Sequence, residues 1–336
     1  MVTLERLKDK LQTPSNIVIT THFKPDGDAL GSSLAMYHWL RNSGHQVNVV
    51  VPSDFPYFLD WMPGCEHILI YTEQQEKSDQ LISEAEVIFC LDFNGLSRTN
   101  DMQGSLASAN GLKVMIDHHL EPDGFDDIRY WDSSAAATAQ LVYKFIAEEM
   151  QDAKAITPQI ATCIYTGIMT DTGSFRFRST TAEIHLIIAD LIQKGAQNWQ
   201  IHENIYNNNT ERRLRFLGFC LSERLVVDPE YHTAWFAVSQ KDLLKYSIGT
   251  GDTEGLVNYA LSIGGIKLAA MIVERPGIIK FSFRSIGEFP CNELSKEHFN
   301  GGGHRNAAGG SAQSTLDDAV EKFKSILPQY KNLLKQ

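Results

Sequence analysis

Cysteine is scarce and scattered: five residues in 336, at Cys65, Cys90, Cys163, Cys220 and Cys291, with no CxxC pair among them. An odd number at such spacing supports neither a disulfide framework nor a zinc ribbon and fits a reduced compartment. No run of about 18 apolar residues occurs, so no membrane span and no membrane partner are expected. The opening MVTLERLKDKLQ lacks the continuous apolar stretch of a signal peptide. Basic residues are outnumbered, with 30 Lys plus Arg against 41 Asp plus Glu and a formal net charge of −11. Broad binding to long duplex nucleic acid works by neutralising phosphates and needs a basic surface, so it is not expected here. A small anionic substrate stays open, because a few metal ions and arginines make a local positive site in an acidic protein. Repeats and low-complexity tracts are also absent. What remains is the composition of a cytoplasmic globular protein, 43% hydrophobic and 21% charged, long enough for two domains.

The first half alternates short apolar runs with helical patterns. Strands are expected over 16–21, 46–51, 86–91 and 113–116, and helices over 28–42 and 74–85. That order predicts an α/β fold, a parallel sheet with helices on both faces. From Ser134 the pattern becomes helical, over 135–150, 158–169, 182–194 and 199–206. Thr157 stands as a cap before a first-turn Pro158, and Gly195 is placed to end its helix. Residues 201–223 read as a connector helix. Strands at about 233–238, 268–274 and 278–284, then a glycine-rich loop and an amphipathic helix from Leu316, predict a smaller α/β domain. The expected division is a catalytic domain over 1–195, a helical linker over 196–224 and a substrate-binding domain over 225–336.

Five constellations carry chemistry. His22, Asp26 and Asp28 follow the apolar run NIVIT and precede a helix. Ligand sites in parallel sheets lie beyond the carboxyl ends of strands, so these three can converge on a metal ion. Pro25 restricts the backbone there and Gly27 permits a tight turn. The plainer alternative is a polar turn in which Asp28 caps the helix. Asp92 ends the apolar run VIFCL, and Asp117-His118-His119 ends LKVMI. Successive side chains of an extended segment point to opposite sides, so one histidine is expected on metal and the other toward substrate. Asp117 is placed to accept a ring N–H and fix a tautomer. Asp171 falls at the negative end of a helix, where a dication or Arg176 would compensate it. Last, Gly301, Gly302, Gly303 and His304 precede small residues able to start a short helix, a candidate phosphate cradle with Arg284 nearby.

Two histidines and four aspartates without cysteine favour Mn²⁺, with Mg²⁺ or Fe²⁺ as substitutes, over structural zinc. With one aspartate shared, the six side chains suffice for two ions.

Those motifs, HFKPDGDALGS, LDFNGLSR, IDHHLEPD and TGIMTDTGSF, followed by GGGHRNAAGG, resemble in order the DHH phosphoesterase superfamily with its DHHA1 domain. The resemblance spans nearly the whole chain, and within the superfamily it is nearest the compact oligoribonuclease and pAp-phosphatase branch. It implies one Mn²⁺ held by His22, Asp26 and Asp92, and a second held by Asp28, Asp92, His118 and Asp171. It also implies that His119 serves the substrate phosphate or leaving group, and that Arg284 and Gly301 to His304 hold the substrate. The implied activity is Mn²⁺-dependent hydrolysis of short oligoribonucleotides and of 3′-phosphoadenosine 5′-phosphate (pAp), and a homodimer is compatible with it. A cyclic-di-AMP or pApA phosphodiesterase of the same superfamily is the nearest rival. A pyrophosphatase or polyphosphatase is disfavoured by the GGGH segment, and an inactive nucleotide sensor by the complete ligand set.

Overall fold

Short β-branched runs build the first sheet. β1 (Asn16–Thr20), β2 (Gln46–Val51), β3 (Ile68–Ile70), β4 (Val87–Leu91), β5 (Leu112–Asp117) and β6 (Ile128–Trp131) are all parallel, in the order β3-β2-β1-β4-β5-β6. Their continuous apolar character follows from burial on both faces. Ile17 and Ile19 pack into one core layer while Val18, between them, packs into the other. The helices of this part are α1 (Leu4–Lys10), α2 (Gly27–Asn42), α3 (Gln75–Glu84), α4 (Gln103–Ser108), α5 (Thr138–Lys144), α6 (Pro158–Asp171), α7 (Ala182–Gln193) and α8 (Asn198–Tyr206). Residues of α2, α5 and α6 fill the first layer; Ile82 of α3 and Leu106 of α4 sit in the second. The strand order reverses between β1 and β4, which opens a crevice at their carboxyl ends.

The computed structural model describes residues 4–335 and divides into two compact units, Met1–Asn208 and Asn209–Gln336. The second holds α9 (Glu211–Phe219), β7 (Leu225–Asp228), β8 (Thr233–Val238), α10 (Gln240–Lys245), α11 (Leu256–Leu261), β9 (Leu268–Arg275), β10 (Ile278–Ser285), α12 (Cys291–His298), β11 (Gly302–His304), β12 (Ala307–Ala312) and α13 (Leu316–Leu334). Its sheet runs β11-β12-β10-β9-β8-β7, parallel only at β8–β9. Phe281 and Phe283 pack with Phe323 of α13 on one face, and Phe236 and Met271 with Leu256 of α11 on the other.

Three local expectations change. The helix predicted from residue 135 starts at Thr138, because Asp132 accepts the Ser134 amide at 2.8 Å and holds a turn before it. Residues 201–223 are not one helix: α8 stops before the asparagines at 207–209, and Thr210 caps α9 by accepting the Arg213 amide. The glycine-rich loop is a hairpin, β11 and β12, and the small residues expected to start a short helix form β12 instead. β12 pairs with β10 from Ile279 to Arg284, and this pairing overrides the poor strand propensity of glycine.

Candidate metal centre

The turn after β1 places His22, and Asp26 then caps α2, its carboxylate accepting the Asp28 and Ala29 amides at 3.0 and 3.1 Å. Asp26, rather than Asp28, is therefore the capping residue. Asp28 lies in the first turn of the helix, fully buried. Gly27 is not at a left-handed position; its missing side chain makes room for Thr170, whose Cγ2 and Oγ1 stand 2.5 Å from where a Cβ would be.

Asp28 and Asp171 meet because α2 and α6 cross closely. A Cβ on Gly31 would lie 2.6 Å from the Cys163 carbonyl, and one on Gly167 would lie 2.6 Å from Ala139 Cβ and 2.8 Å from Asp28 Oδ1. Neither position has room for a side chain.

Asp92 follows β4 in a left-handed conformation, φ +66°, which aspartate tolerates better than most residues. Its two oxygens face different imidazoles. Oδ2 is 3.5 Å from His22 Nε2, which is also 3.9 Å from Asp26. Oδ1 is 3.5 Å from His118 Nε2, which stands 3.8 Å from Asp28 and 3.5 Å from Asp171. The six predicted ligands thus form two groups that share Asp92.

Both histidines have their other nitrogen occupied by a main-chain carbonyl. His22 Nδ1 is 3.0 Å from Phe23 O, and His118 Nδ1 is 3.1 Å from Ala135 O. Such a bond makes Nδ1 the donor and turns the Nε2 lone pair toward the carboxylates. His119 does not point away from His118: β5 has ended, and its Nδ1 lies 3.6 Å from Asp92 Oδ1 and 2.8 Å from Asp117 Oδ1. Strand alternation fails there because the pleat stops at Asp117.

The electrostatics are those of a site with too much negative charge. Burial, and then the charges of Asp92, Asp171 and Asp26, push the Asp28 carboxyl well above its usual range. Burial also pushes Asp92 upward, but the adjoining His22, His119 and His118 rings outweigh it and hold Asp92 well below its usual range. His22 would fall through burial; Asp92 and Asp26 raise it instead. Among the described residues, no lysine or arginine pairs with Asp28 or Asp92.

The nitrogen–oxygen separations of 3.5–3.9 Å are too long for direct hydrogen bonds. They suit donors each about 2.0–2.2 Å from a common ion. Ligand atoms of His22, Asp26 and Asp92, and of Asp28, Asp92 and His118, lie within 4.8 Å of one another. The residues present fit divalent cations.

Sequence reasoning missed Thr138. Its hydroxyl donates to Asp92 Oδ1 at 2.8 Å, while its amide and that of Ala139 donate to Asp28 at 2.6 and 2.8 Å. The start of α5 thereby holds both carboxylates. A lone threonine in the run SAAATAQ gives no signal of this.

In the second unit Arg284 and His304 both pair with Ala307, from opposite sides. Cross-strand neighbours share a face, so the arginine and the histidine flank one alanine on one surface. Gly301 stands where a Cβ would come 2.0 Å from the Gly309 carbonyl, so the hairpin base admits no side chain.

Comparison with known proteins agrees with this geometry. The DHH family, N-terminal domain, matches residues 16–168, and the DHHA1 domain matches residues 236–331. The bifunctional oligoribonuclease and PAP phosphatase of Thermus thermophilus is 30% identical over 91% of this chain and 87% of its own. The protein of the same name from Bacillus subtilis is 27% identical over 89% and 90%. A crystal structure of an exopolyphosphatase-related protein from Bacteroides fragilis superposes with a TM-score of 0.93 at 43% identity, covering 99% of this chain and 97% of that one. With both domains matched in order and a relative alike along most of its length, the chain belongs to the DHH family and carries a DHHA1 domain behind its DHH domain.

Proposed function

We propose that this DHH-family phosphoric ester hydrolase acts on small phosphorylated nucleotides, namely RNA of a few residues and pAp, using two Mn²⁺ ions. The observation that carries the reading is Asp92, whose two oxygens face separate histidine–carboxylate groups in the crevice between β1 and β4. His22, Asp26 and Asp92 would hold one ion, and Asp28, Asp92, His118 and Asp171 the other. Bound divalent ions supply Lewis acidity at phosphorus and make water acidic enough to react near neutral pH.

The chain's own groups do the rest. Thr138 and the start of α5 keep Asp28 and Asp92 oriented before any ion arrives. Asp117 accepts from His119 Nδ1–H and supports the imidazolium form, in which Nε2–H would be the group able to give a proton to the departing oxygen. Arg284, Gly301, Gly302, Gly303 and His304 are assigned to the substrate's phosphate, with glycine amides able to approach it closely. An acidic chain of net charge −11 suits a substrate of few phosphates. The compartment is assigned as the cytoplasm; no helix among the described residues is long and apolar enough to cross a membrane.

Turnover of pAp, a short linear RNA, cyclic-di-AMP and a polyphosphate chain, on one preparation in Mn²⁺ and in Mg²⁺, tests the reading. Fastest hydrolysis of pAp or short RNA in Mn²⁺ is expected. Preference for cyclic-di-AMP or polyphosphate overturns it, the latter agreeing instead with the name of the Bacteroides fragilis relative.

A further inference from the structure

The rim of the first unit's site carries an aromatic ring that the assignments above do not use. Trp131 is the last residue of β6, paired with Asp117 at the end of β5. Its indole N–H donates to the carbonyl of His119 at 2.7 Å. The residue is nevertheless 40% exposed, and Leu120, next to His119 in sequence, is 43% exposed. A large apolar ring pinned by its one polar atom to the main chain of His119, with its surface open to water, has no core role. On an edge strand it leaves apolar area uncovered at a cost that burial elsewhere would have avoided.

The charges around it say what could cover it. Asp132 follows it directly, held ionised by the hydroxyl and amide of Ser134, which keep its carboxyl below the ordinary range. Arg129, on the same strand, is committed to Asp126 through two hydrogen bonds of 3.0 and 2.7 Å. Such a rim repels a phosphate and tolerates a neutral flat ring. Nucleobases are neutral and flat, and they stack on aromatic side chains without regard to sequence. Fixing the indole through its N–H removes most of the rotamer entropy that stacking would otherwise cost.

From this geometry we propose that Trp131 is the stacking surface for a nucleobase of the bound substrate, so that the site grips the base as well as the phosphate. The proposal rests on the nucleotide reading above. It also explains how a preference for nucleotides over base-free phosphates arises within the first unit. The same hydrogen bond gives Trp131 a second, separable task, that of positioning the main chain at His119. Asn94 shares that task, since its side-chain amide donates to the Leu120 carbonyl at 2.6 Å.

The test compares AMP with ribose 5-phosphate, which lacks only the base. Binding is measured by calorimetry in saturating Mn²⁺ on the full chain and on Trp131→Phe and Trp131→Leu. Wild type and Trp131→Phe are expected to favour AMP by about tenfold or more, the usual scale of one stacked base. Trp131→Leu is expected to bind the two alike. A wild type that does not discriminate, or a Trp131→Leu variant that discriminates as wild type does, overturns the proposal. Should Trp131→Leu fail to fold, tryptophan fluorescence decides instead. AMP and not ribose 5-phosphate must quench a component present in wild type and missing in Trp131→Phe; equal quenching in both proteins overturns the proposal. Binding needs no turnover, so failure of the nucleotide reading shows separately, as wild type that hydrolyses neither pAp nor short RNA. A lowered kcat for both Trp131 variants with unchanged KM on a base-free phosphoester would register the positioning task alone.

Discussion

In the first sheet the candidate groups stand beyond the strand ends, and side chains from residue 22 to residue 171 meet with Asp28, Asp92 and His118 almost wholly removed from water. In the second sheet they lie within paired strands: Arg284 and His304 flank Ala307 and stay partly exposed. The first arrangement gathers like charges that burial makes costly, so it needs close helix packing to hold them and suits a cation that would offset them. The second is made of main chain and small residues, so its geometry is secured by strand pairing alone. A single substitution should consequently end chemistry in the first unit and only weaken affinity in the second.

The hardest blow to that contrast falls on Asp92. Asp92→Asn keeps the shape but removes the charge proposed to be shared by two ions. Turnover should fall about a thousandfold or more, with metal content measured by elemental analysis also reduced. Near-normal activity at limiting Mn²⁺ would undo the metal assignment.

Next in size is packing. Gly167→Ala forces a methyl against Ala139 and Asp28, and should cost about 1–3 kcal/mol in denaturant unfolding while lowering metal affinity. Gly218→Ala in α9, where an added Cβ meets nothing, is its counterpart in the second unit and should stabilise by about 0.5–1 kcal/mol. Equal effects at the two glycines would mean that the α2–α6 crossing is not tight.

Arg284→Ala should raise KM about tenfold with kcat and metal content nearly unchanged, since a charged hydrogen bond is worth about 1.5–3 kcal/mol. A matching loss of bound metal would erase the distinction between the two sites.

The smallest effect concerns pH. Burial pushes Asp242 up, but the Arg224 hydrogen bonds and the Ser239 amide and hydroxyl outweigh it, so its carboxyl lies below the ordinary 3.8. The unfolded chain therefore takes up this proton at higher pH than the folded unit does. The stabilisation is complete above the unfolded value and is lost as pH falls through the folded one. Arg224→Met should cost about 1 kcal/mol at pH 7 and less near pH 3, by urea unfolding at both.

Much of this was legible because burial writes itself into composition. The strand at 46–51 and the start of α13 at Leu316 fall where apolar periodicity puts them. β3 and β6 escaped because they are short, three and four residues, and only partly covered. The hairpin at β11 and β12 escaped for a different reason: glycine and alanine have no strand signal, and only the partner strand makes them one. Among the candidate residues, the types and order were visible, and the resemblance implied that Asp92 is shared by two groups, but the local structure that aims its two oxygens was not visible. It depends on a left-handed residue and on Thr138, which lie 46 positions apart.

The strand order β3-β2-β1-β4-β5-β6 has a bearing on how the chain reaches this state. β1 must wait for β4, whose paired residues are about 70 positions away, and α6 must then dock on α2 before Asp171 meets His118. Loop-closure entropy makes such non-local pairings slow. The centre can therefore form only at the end of folding of the first unit, and Mn²⁺ present at that stage would draw the last step forward by mass action. Refolding followed through metal uptake should lag refolding followed through backbone circular dichroism, which would make the ion a reporter of completed assembly.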